Sequence, residues 1–363
     1  MAKIKLTELK KTYPSGATGV SGVNMEIADG EFTVLLGASG SGKTALLRMI
    51  CGLDNVSEGE IAVDDTVVND YQPKDRDMSL VVGSAGLYPA LNIFDNMAYG
   101  LKLRKMPKEE IDDRVYEVAR ILGLTDVLSR KPKNVSAIER QRACIGRAIA
   151  RKPKIVILDD PFTDFSDAVK ESLREDVLKL QKRLKINFIY ATRNPREALE
   201  LADKIAYFEN GKLVQYGTPE ELYESPKTVA LARLIGNPPI NLFAGKLEKE
   251  GEDLDFVYGK FKIPLDESLA EEFKEYIEQG KKLQLAVRAE DVCLGEDVIG
   301  VQEDVADYGD EKLLAFTVEG DSSAHYALMD KSFVFEKGNA VGVAINMRGV
   351  NFFDLKKENN ILK

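Results

Sequence analysis

Residues 32–50 read Phe32-Thr33-Val34-Leu35-Leu36-Gly37-Ala38-Ser39-Gly40-Ser41-Gly42-Lys43-Thr44-Ala45-Leu46-Leu47-Arg48-Met49-Ile50, and this stretch decides the fold. Its centre, Gly37 to Thr44, is a complete G-x-x-x-x-G-K-[ST] phosphate-binding loop. The apolar run before it predicts a buried strand, and residues 45–50 predict the first turns of a helix. Strand, loop and helix in that order are the setting the motif requires. The glycines let successive backbone N–H groups turn inward around a phosphate chain, and the helix N-terminus adds partial positive charge there. Lys43 is placed to reach the β- and γ-phosphates, and the Thr44 hydroxyl to ligate Mg²⁺.

Composition sets the limits. The chain has 363 residues, enough for two domains with separate cores. With 60 acidic against 50 basic residues its net charge is −10, which argues against nucleic acid as a partner. No run approaches the roughly 20 apolar residues of a membrane span. The start, Met1-Ala2-Lys3-Ile4-Lys5-Leu6, alternates like a strand and lacks a leader's apolar core. Cys51, Cys144 and Cys293 are scattered and odd in number, so reduced thiols are expected. The single histidine is His325, which reads as a solvated or half-buried strand residue.

Working outward, residues 3–9 and 22–28 alternate as paired strands do. Tyr13 lies between them. An aromatic just before a phosphate loop either stacks on an adenine or is a surface strand residue, and this tyrosine alone does not choose. Residues 57–68 predict further strands, with turns at Glu58-Gly59 and Asp64-Asp65. From 92 to 130 the apolar spacing becomes helical, and another helix runs from about 138 to 151. Ile155-Val156-Ile157-Leu158-Asp159-Asp160 predicts a buried parallel strand that delivers a carboxylate at its C-terminal edge. Beside a phosphate loop, Asp159 is the expected Mg²⁺ partner. Helix 167–184, strand 187–191, helix 195–202 and strand 204–208 complete an α/β domain, and Asn210-Gly211 signals a hairpin.

Past Ile235-Gly236-Asn237-Pro238-Pro239 the texture changes to short alternating segments at 254–258, 283–287, 313–318 and 341–345, with one helix near 266–279. A small β-rich domain of the barrel type is expected there. Glu303-Asp304 and Asp307-Tyr308-Gly309-Asp310 read as acidic turns forming solvated edges.

These residues together carry a resemblance that spans nearly the whole chain. It resembles the ATP-binding subunits of ABC transporters, of the carbohydrate-importer type typified by maltose and oligosaccharide uptake. Gly37 to Thr44 matches that family's Walker A loop and Ile155 to Asp159 its Walker B strand. Leu87-Tyr88-Pro89 and Asn96 to Leu103 are similar to the entry to its helical subdomain. Ile145-Gly146-Arg147-Ala148 is similar to the helix behind its signature. Leu201 to Ile205 and Gly217 to Tyr223 match the end of its ATPase domain. Val287-Arg288-Ala289-Glu290-Asp291-Val292 resembles the Val-Arg-Pro-Glu-Asp motif of its C-terminal regulatory domain.

The resemblance implies an ABC-type ATP-binding domain over residues 1–236, with a helical subdomain at about 87–150. An OB-like regulatory domain follows over 237–363. It also implies ATP and Mg²⁺ as cofactors, held by Tyr13, Gly37, Ala38, Ser39, Gly40, Ser41, Gly42, Lys43, Thr44 and Asp159, with Thr44 and Asp159 on the metal. Two such subunits pair head to tail beneath two membrane-spanning permease subunits, on the inner face of the plasma membrane. An extracytoplasmic solute-binding protein delivers the sugar. Each ATP lies between one subunit's Walker loops and the other's signature segment, and the groove beside the Gln-bearing loop receives a coupling helix.

Several family positions are altered. The glutamine that contacts Mg²⁺ falls at Gly83, within Val81-Val82-Gly83-Ser84. The signature Leu-Ser-Gly-Gly-Gln falls at Val135-Ser136-Ala137-Ile138-Glu139. Ser136 keeps a hydroxyl for the partner's ATP, but both glycines are gone and Glu139 adds negative charge. The Walker B glutamate falls at Asp160, one methylene shorter, and the D-loop aspartate at Ser166. The switch histidine falls at Arg193, a group always protonated. Asp160 and Arg193 are therefore the weakened catalytic candidates. Binding of nucleotide is expected to persist and hydrolysis to be poor, in a heterodimer with a competent ATPase. A weakly active homodimer, and a nucleotide-sensing regulator without transport work, are the alternatives.

Overall fold

The structure, a computed structural model, describes residues 2–83 and 86–362; Met1 and Ser84 lie outside the described residues. The chain divides into two compact units, 1–219 and 220–363.

In the first unit, β1 (Ile4–Thr12) and β2 (Thr18–Ile27) pair antiparallel, longer than the alternation predicts. They are followed by β3 (Phe32–Leu36), α1 (Lys43–Ile50), β4 (Glu58–Val63), β5 (Thr66–Val67) and β6 (Met78–Val82). Three helices come next: α2 (Ile93–Leu103), α3 (Lys108–Ile121) and α4 (Ala137–Ala150). Then come β7 (Ile155–Asp159), α5 (Asp167–Leu184), β8 (Asn187–Thr192), α6 (Pro195–Leu201), β9 (Lys204–Glu209) and β10 (Lys212–Gly217).

The strands make two sheets. One is antiparallel, in the order β2-β1-β4-β5; the other runs β10-β9-β3-β8-β7-β6, parallel except for its β10 edge. Every residue of β3 and β8 is buried, as strands covered on both faces must be. Helix α1 packs between the two sheets, and Leu46, Leu47, Met49 and Ile50 join a core with Ile4, Leu6, Ile157 and Phe208. Helices α2, α3 and α4 pack on one another as the helical insert. Asn92 caps α2 by accepting from Asp95 N.

The Glu58-Gly59 turn predicted from sequence is instead the start of β4. Gly59 has φ +86, and a Cβ there would lie 2.4 Å from the Thr7 and Glu8 carbonyl oxygens. The glycine serves a bulge where the β1–β4 register shifts. Asp64 and Asp65, both at positive φ, do form the expected turn.

In the second unit, α7 (Pro219–Glu224, beginning at the boundary) and α8 (Val229–Leu234) precede β11 (Asn241–Glu250), β12 (Asp253–Tyr258) and β13 (Phe261–Leu265). Then follow α9 (Lys274–Glu278), β14 (Lys282–Val287), β15 (Val292–Tyr308), β16 (Glu311–Val318), β17 (Asp321–Asp330), β18 (Ala340–Ile345) and β19 (Asn351–Asp354). They form two antiparallel sheets, β13-β12-β11-β14-β19 and β17-β16-β15-β18, around one apolar core. Residues 220–236 pack with this unit. Buried Arg288 donates to the carbonyls of Tyr223, Ala232 and Ile235.

Three expectations are corrected here. The helix at 266–279 is a 3-10 turn (Glu267–Ala270) followed by the five-residue α9. Glu267, Glu271 and Glu272 crowd like charges on its solvent side, and i→i+3 bonds (Leu269 N to Asp266 O, Tyr276 N to Phe273 O) mix with the i→i+4 bonds from Phe273 N and Ile277 N. Glu303-Asp304 is not a turn but a register shift inside β15. His325 is wholly buried, stacked on Phe243 with ring centroids 4.3 Å apart.

Candidate nucleotide site

The parallel sheet sets the site. Strands β3, β8 and β7 lie side by side, and their C-terminal ends deliver the glycine loop, Thr192-Arg193 and Asp159-Asp160 to one edge. Such an edge is where open α/β sheets bind ligands. The loop turns on Gly42, the N-cap of α1, at φ +105. A Cβ there would come within 2.5 Å of Gly19 O. The β9–β10 hairpin backs the loop, as Gly211 N donates to Ser41 O at 3.0 Å.

A cleft of about 680 Å³ opens over this edge, lined by Tyr13, Thr18, residues 39–45, Gly83, Asp159, Asp160, Thr163 and Arg193. Lys43 Nζ donates to Gly37 O (2.7 Å), Ala38 O (2.8 Å) and Ser41 Oγ (3.2 Å). Burial lowers its pKa against the pull of Asp160 and Asp159, so an anion in the cleft is the natural counter-charge. Tyr13, half-buried, packs so tightly on Gly19 that a Cβ there would lie 2.9 Å from its ring.

Thr44 Oγ1 donates to Asp159 Oδ1 at 3.2 Å, so the two expected Mg²⁺ ligands share one spot on the cleft floor. Burial, with Asp160 adjacent, pushes the Asp159 carboxyl up, although the Thr44 hydroxyl and Lys43 oppose this. A cation beside it reverses that cost. Among the described residues no three His, Cys, Asp or Glu side chains form a metal cage. That donor set suits Mg²⁺ carried by a phosphate ligand, since this ion is typically held by one or two carboxylates plus phosphates.

Three of the altered positions, Gly83, Asp160 and Arg193, line this cleft. Asp160 sits at φ +48, and its Oδ2 lies 3.4 Å from Arg193 Nε. Gly83 offers no side chain, and its carbonyl accepts from Gln141 Nε2 at 3.0 Å. Gln141 also donates to Pro161 O at 2.9 Å, so this buried residue of α4 ties the Gly83 loop to the Asp160 loop. The sequence reading missed Gln141. Its one signal was an amide among the apolar positions of α4.

Ser136 does not line the cleft. It caps α4: its Oγ accepts from Glu139 N (3.2 Å), while Glu139 Oε2 accepts from Ser136 N (2.7 Å). This is a complete capping box. The backbone bond from Ser136 holds the Glu139 carboxyl below its ordinary range, so the charge stays in place at the helix start. Ser166 precedes α5 as its N-cap without a side-chain bond.

Fold and cleft together define a P-loop nucleotide-binding protein. A family model described as "ABC transporter" matches residues 20–163. The oligosaccharides import ATP-binding protein MsmX of Bacillus subtilis is 35% identical, over 99% of each chain. The trehalose/maltose import ATP-binding protein MalK of Thermococcus litoralis is 37% identical, over 98% of each. Among solved structures, cbiO1 of Clostridium perfringens, part of an ABC transporter complex, aligns with a TM-score of 0.57 and 25% identity. That alignment covers 60% of this chain and 89% of the other. The chain belongs to the ABC transporter family as one of its ATP-binding proteins. The α/β cassette and β-rich C-terminal unit are the architecture its sequence implied.

Proposed function

We propose that this chain is the nucleotide-binding subunit of a carbohydrate importer that binds Mg-ATP, hydrolyses it poorly, and pairs with a competent ATPase subunit. One observation carries the reading. The cleft keeps Lys43, Thr44 and Asp159 together, whereas the positions that handle water hold Gly83 and an Asp160–Arg193 ion pair. In this reading Tyr13, which lines the cleft, faces the base and the glycine loop the phosphates. The carboxylate of Asp160 is a methylene short for a water-polarising group, and a displacement of about 1 Å can cost ~10²-fold. The full-length likeness to two sugar-import ATP-binding proteins supports a carbohydrate transporter.

The partners follow from the same reading. A groove of about 630 Å³ is lined by Tyr88, Tyr99, Leu103, Arg104, Arg147 and Arg151, among others. The Tyr88 and Tyr99 rings lie 4.5 Å apart, and the Arg147 guanidinium stands 5.4 Å from the Tyr88 ring. Aromatic and cationic, it suits a short helix of a permease subunit. Among the described residues no helix is long and apolar enough to cross a membrane. In the proposal the chain therefore lies at the inner membrane face, bound to two permease subunits. A solute-binding protein acts on the other side.

Isothermal calorimetry with Mg-ATP and steady-state hydrolysis test this together, on the chain alone and mixed with an intact ATPase subunit of the same transporter. Binding without turnover alone, and turnover in the mixture, is the expected result. Robust turnover by the chain alone would favour the homodimeric ATPase, with Asp160 and Arg193 as its chemistry. Absence of nucleotide binding would end the proposal.

A further inference from the structure

The helical insert holds a recess of its own, which shares no lining residue with the nucleotide cleft. Its volume is about 510 Å³, and it lies where α3 passes the C-terminal ends of α2, α4 and α5. Leu101, Met106 and Ala150 give it an apolar wall. Five cationic side chains line it, Arg114, Arg120, Arg151, Lys152 and Arg183, against three carboxylates.

The pairing inside is more uneven than the numbers suggest. Buried Arg114 is satisfied by the fold: Nε and Nη2 donate to Ala150 O (3.3 Å) and Ile149 O (3.1 Å), and Nη1 donates to Glu117 Oε2 (2.6 Å). It thereby takes up the carbonyl end of α4. Arg183 lies 3.5 Å from the other oxygen of Glu117. The bond from Arg114 holds the Glu117 carboxyl below its ordinary range, and the charges of Arg183 and Lys152 pull the same way. One carboxylate thus answers to three cations. Glu110 and Asp113, the other two, are exposed and join no ion pair among the described residues, and neither do Arg120 and Arg151. Arg151 is nevertheless held in place. A Cβ on Gly100 would lie 2.9 Å from its Cγ and Cδ, so the bare glycine gives its stem a bed. Burial, and then the charge of Arg104, lower its pKa, with Asp77 opposing. A half-buried guanidinium without a counter-ion is costly, and an anion beside it removes the cost.

We propose that this recess is a second anion site, which takes a phosphoryl group carried by a small soluble phosphate or by a lipid headgroup. A phosphoryl group brings up to two negative charges and several acceptor oxygens, enough to engage the guanidinium forks of Arg120 and Arg151 and the point charge of Lys152 together. The apolar wall has room for the carbon skeleton that carries it. Arg151 also lines the groove of Tyr88, Tyr99 and Arg147, so an anion in the recess takes up a charge that the groove otherwise presents.

The test uses the full chain and two kinds of probe. Inorganic phosphate and glucose 6-phosphate are titrated by calorimetry, and vesicles of phosphatidylcholine with and without phosphatidylglycerol are assayed by co-sedimentation. Arg151→Gln with Lys152→Gln is expected to weaken binding about tenfold, the scale of one lost charge-assisted bond. Arg120→Gln, on an exposed side chain that the fold does not need, weakens it about threefold. Lys105→Gln with Lys108→Gln removes as much charge outside the recess and changes binding by less than about twofold. Because the glycine loop also attracts phosphate, every titration is repeated in Lys43→Ala, where binding to the recess persists. Binding of either soluble probe assigns a soluble phosphate; binding only to the phosphatidylglycerol vesicles assigns a headgroup. No binding of any probe, equal losses in the recess and control variants, or a loss in Lys43→Ala would overturn the proposal.

Discussion

At the scale of single residues, the cleft floor depends on a carboxyl that burial makes costly to ionise. Asp159 is pushed up by that burial and by Asp160, against the Thr44 hydroxyl bond and the charges of Lys43 and Arg48. In the proposed Mg-ATP site a divalent cation would offset that cost and link nucleotide binding to metal binding at this atom. Asp159→Asn removes the linkage without emptying the site of its loop or of Lys43. The wild type is expected to bind ATP about tenfold more tightly with Mg²⁺ than with a chelator present. In the Asn variant the two affinities converge. Paired titrations with Mg²⁺ and with EDTA measure this. A Mg²⁺ effect that persists in the variant would place the metal on other ligands.

At the scale of elements, what is written locally was readable and what depends on distant contacts was not. The strand-loop-helix at 32–50 and the α5, β7 and β8 segments fall where their spacing predicts, because a buried strand or an amphipathic helix needs only its own residues to declare itself. The candidate site was readable for the same reason: the loop and Asp159 lie at strand ends. The Asp160–Arg193 contact and the Gln141 bridge were hidden, since each depends on which strands and helices become neighbours. Gly59 shows the same limit in the fold. Its Glu-Gly dipeptide looks like a turn, yet its glycine is spent on a bulge against β1. Gly59→Ala must strain a φ of +86 and push two backbone carbonyls aside. A loss of about 2 kcal/mol in unfolding free energy is expected, measured by urea denaturation. A change under about 0.5 kcal/mol would show that the bulge relaxes freely.

At the scale of the whole molecule, the two units differ in what acid does to them. His325 is the only histidine, and burial beside Phe243, Tyr258 and Phe316 lowers its pKa despite Asp321. Its Nδ1 has no hydrogen-bond partner, so the folded core has no acceptor for a second ring proton. The unfolded chain takes that proton near pH 6.5 and the folded unit resists it. Stability from this group is therefore full above pH 6.5 and falls as pH drops below it, by at most ~1.4 kcal/mol per unit. Asp321, with Tyr258 and Ser323 donating and His325 nearby, is pulled down to about 2 despite its burial, so its own contribution erodes only at lower pH. Calorimetric melts between pH 7.5 and 5 should show the C-terminal transition weakening in the wild type and nearly level in His325→Phe. An equal slope in both would remove His325 as the cause.

The altered motifs sort by which ATP they serve once two subunits share two sites, and that sorting yields a prediction at the same scale. Asp160 and Arg193 line this chain's own cleft, whereas Ser136, Ile138 and Glu139 lie at the start of α4, where Ser136 and Glu139 cap the helix and Ser136 does not line the cleft. In the proposed pairing, the first set governs ATP on this chain and the second governs ATP on the partner. Ala137→Gly, Ile138→Gly and Glu139→Gln together restore close backbone approach to a phosphate and remove one negative charge. Gln at the third helical position also preserves the capping box. This triple variant is expected to raise turnover of the mixed assembly several-fold, a positioning effect, and to leave the chain alone inactive, because its own cleft stays unrepaired. Asp160→Glu with Arg193→His has the reverse signature in the mixture, opening turnover at this chain's own ATP, where the partner's intact signature completes the site. Coupled-enzyme assays with a hydrolysis-dead partner, such as one lacking its Walker B glutamate, separate the two sites. If the triple variant acts only with the dead partner, or the double variant only on the partner's ATP, the two sites are not composed across the subunits as proposed.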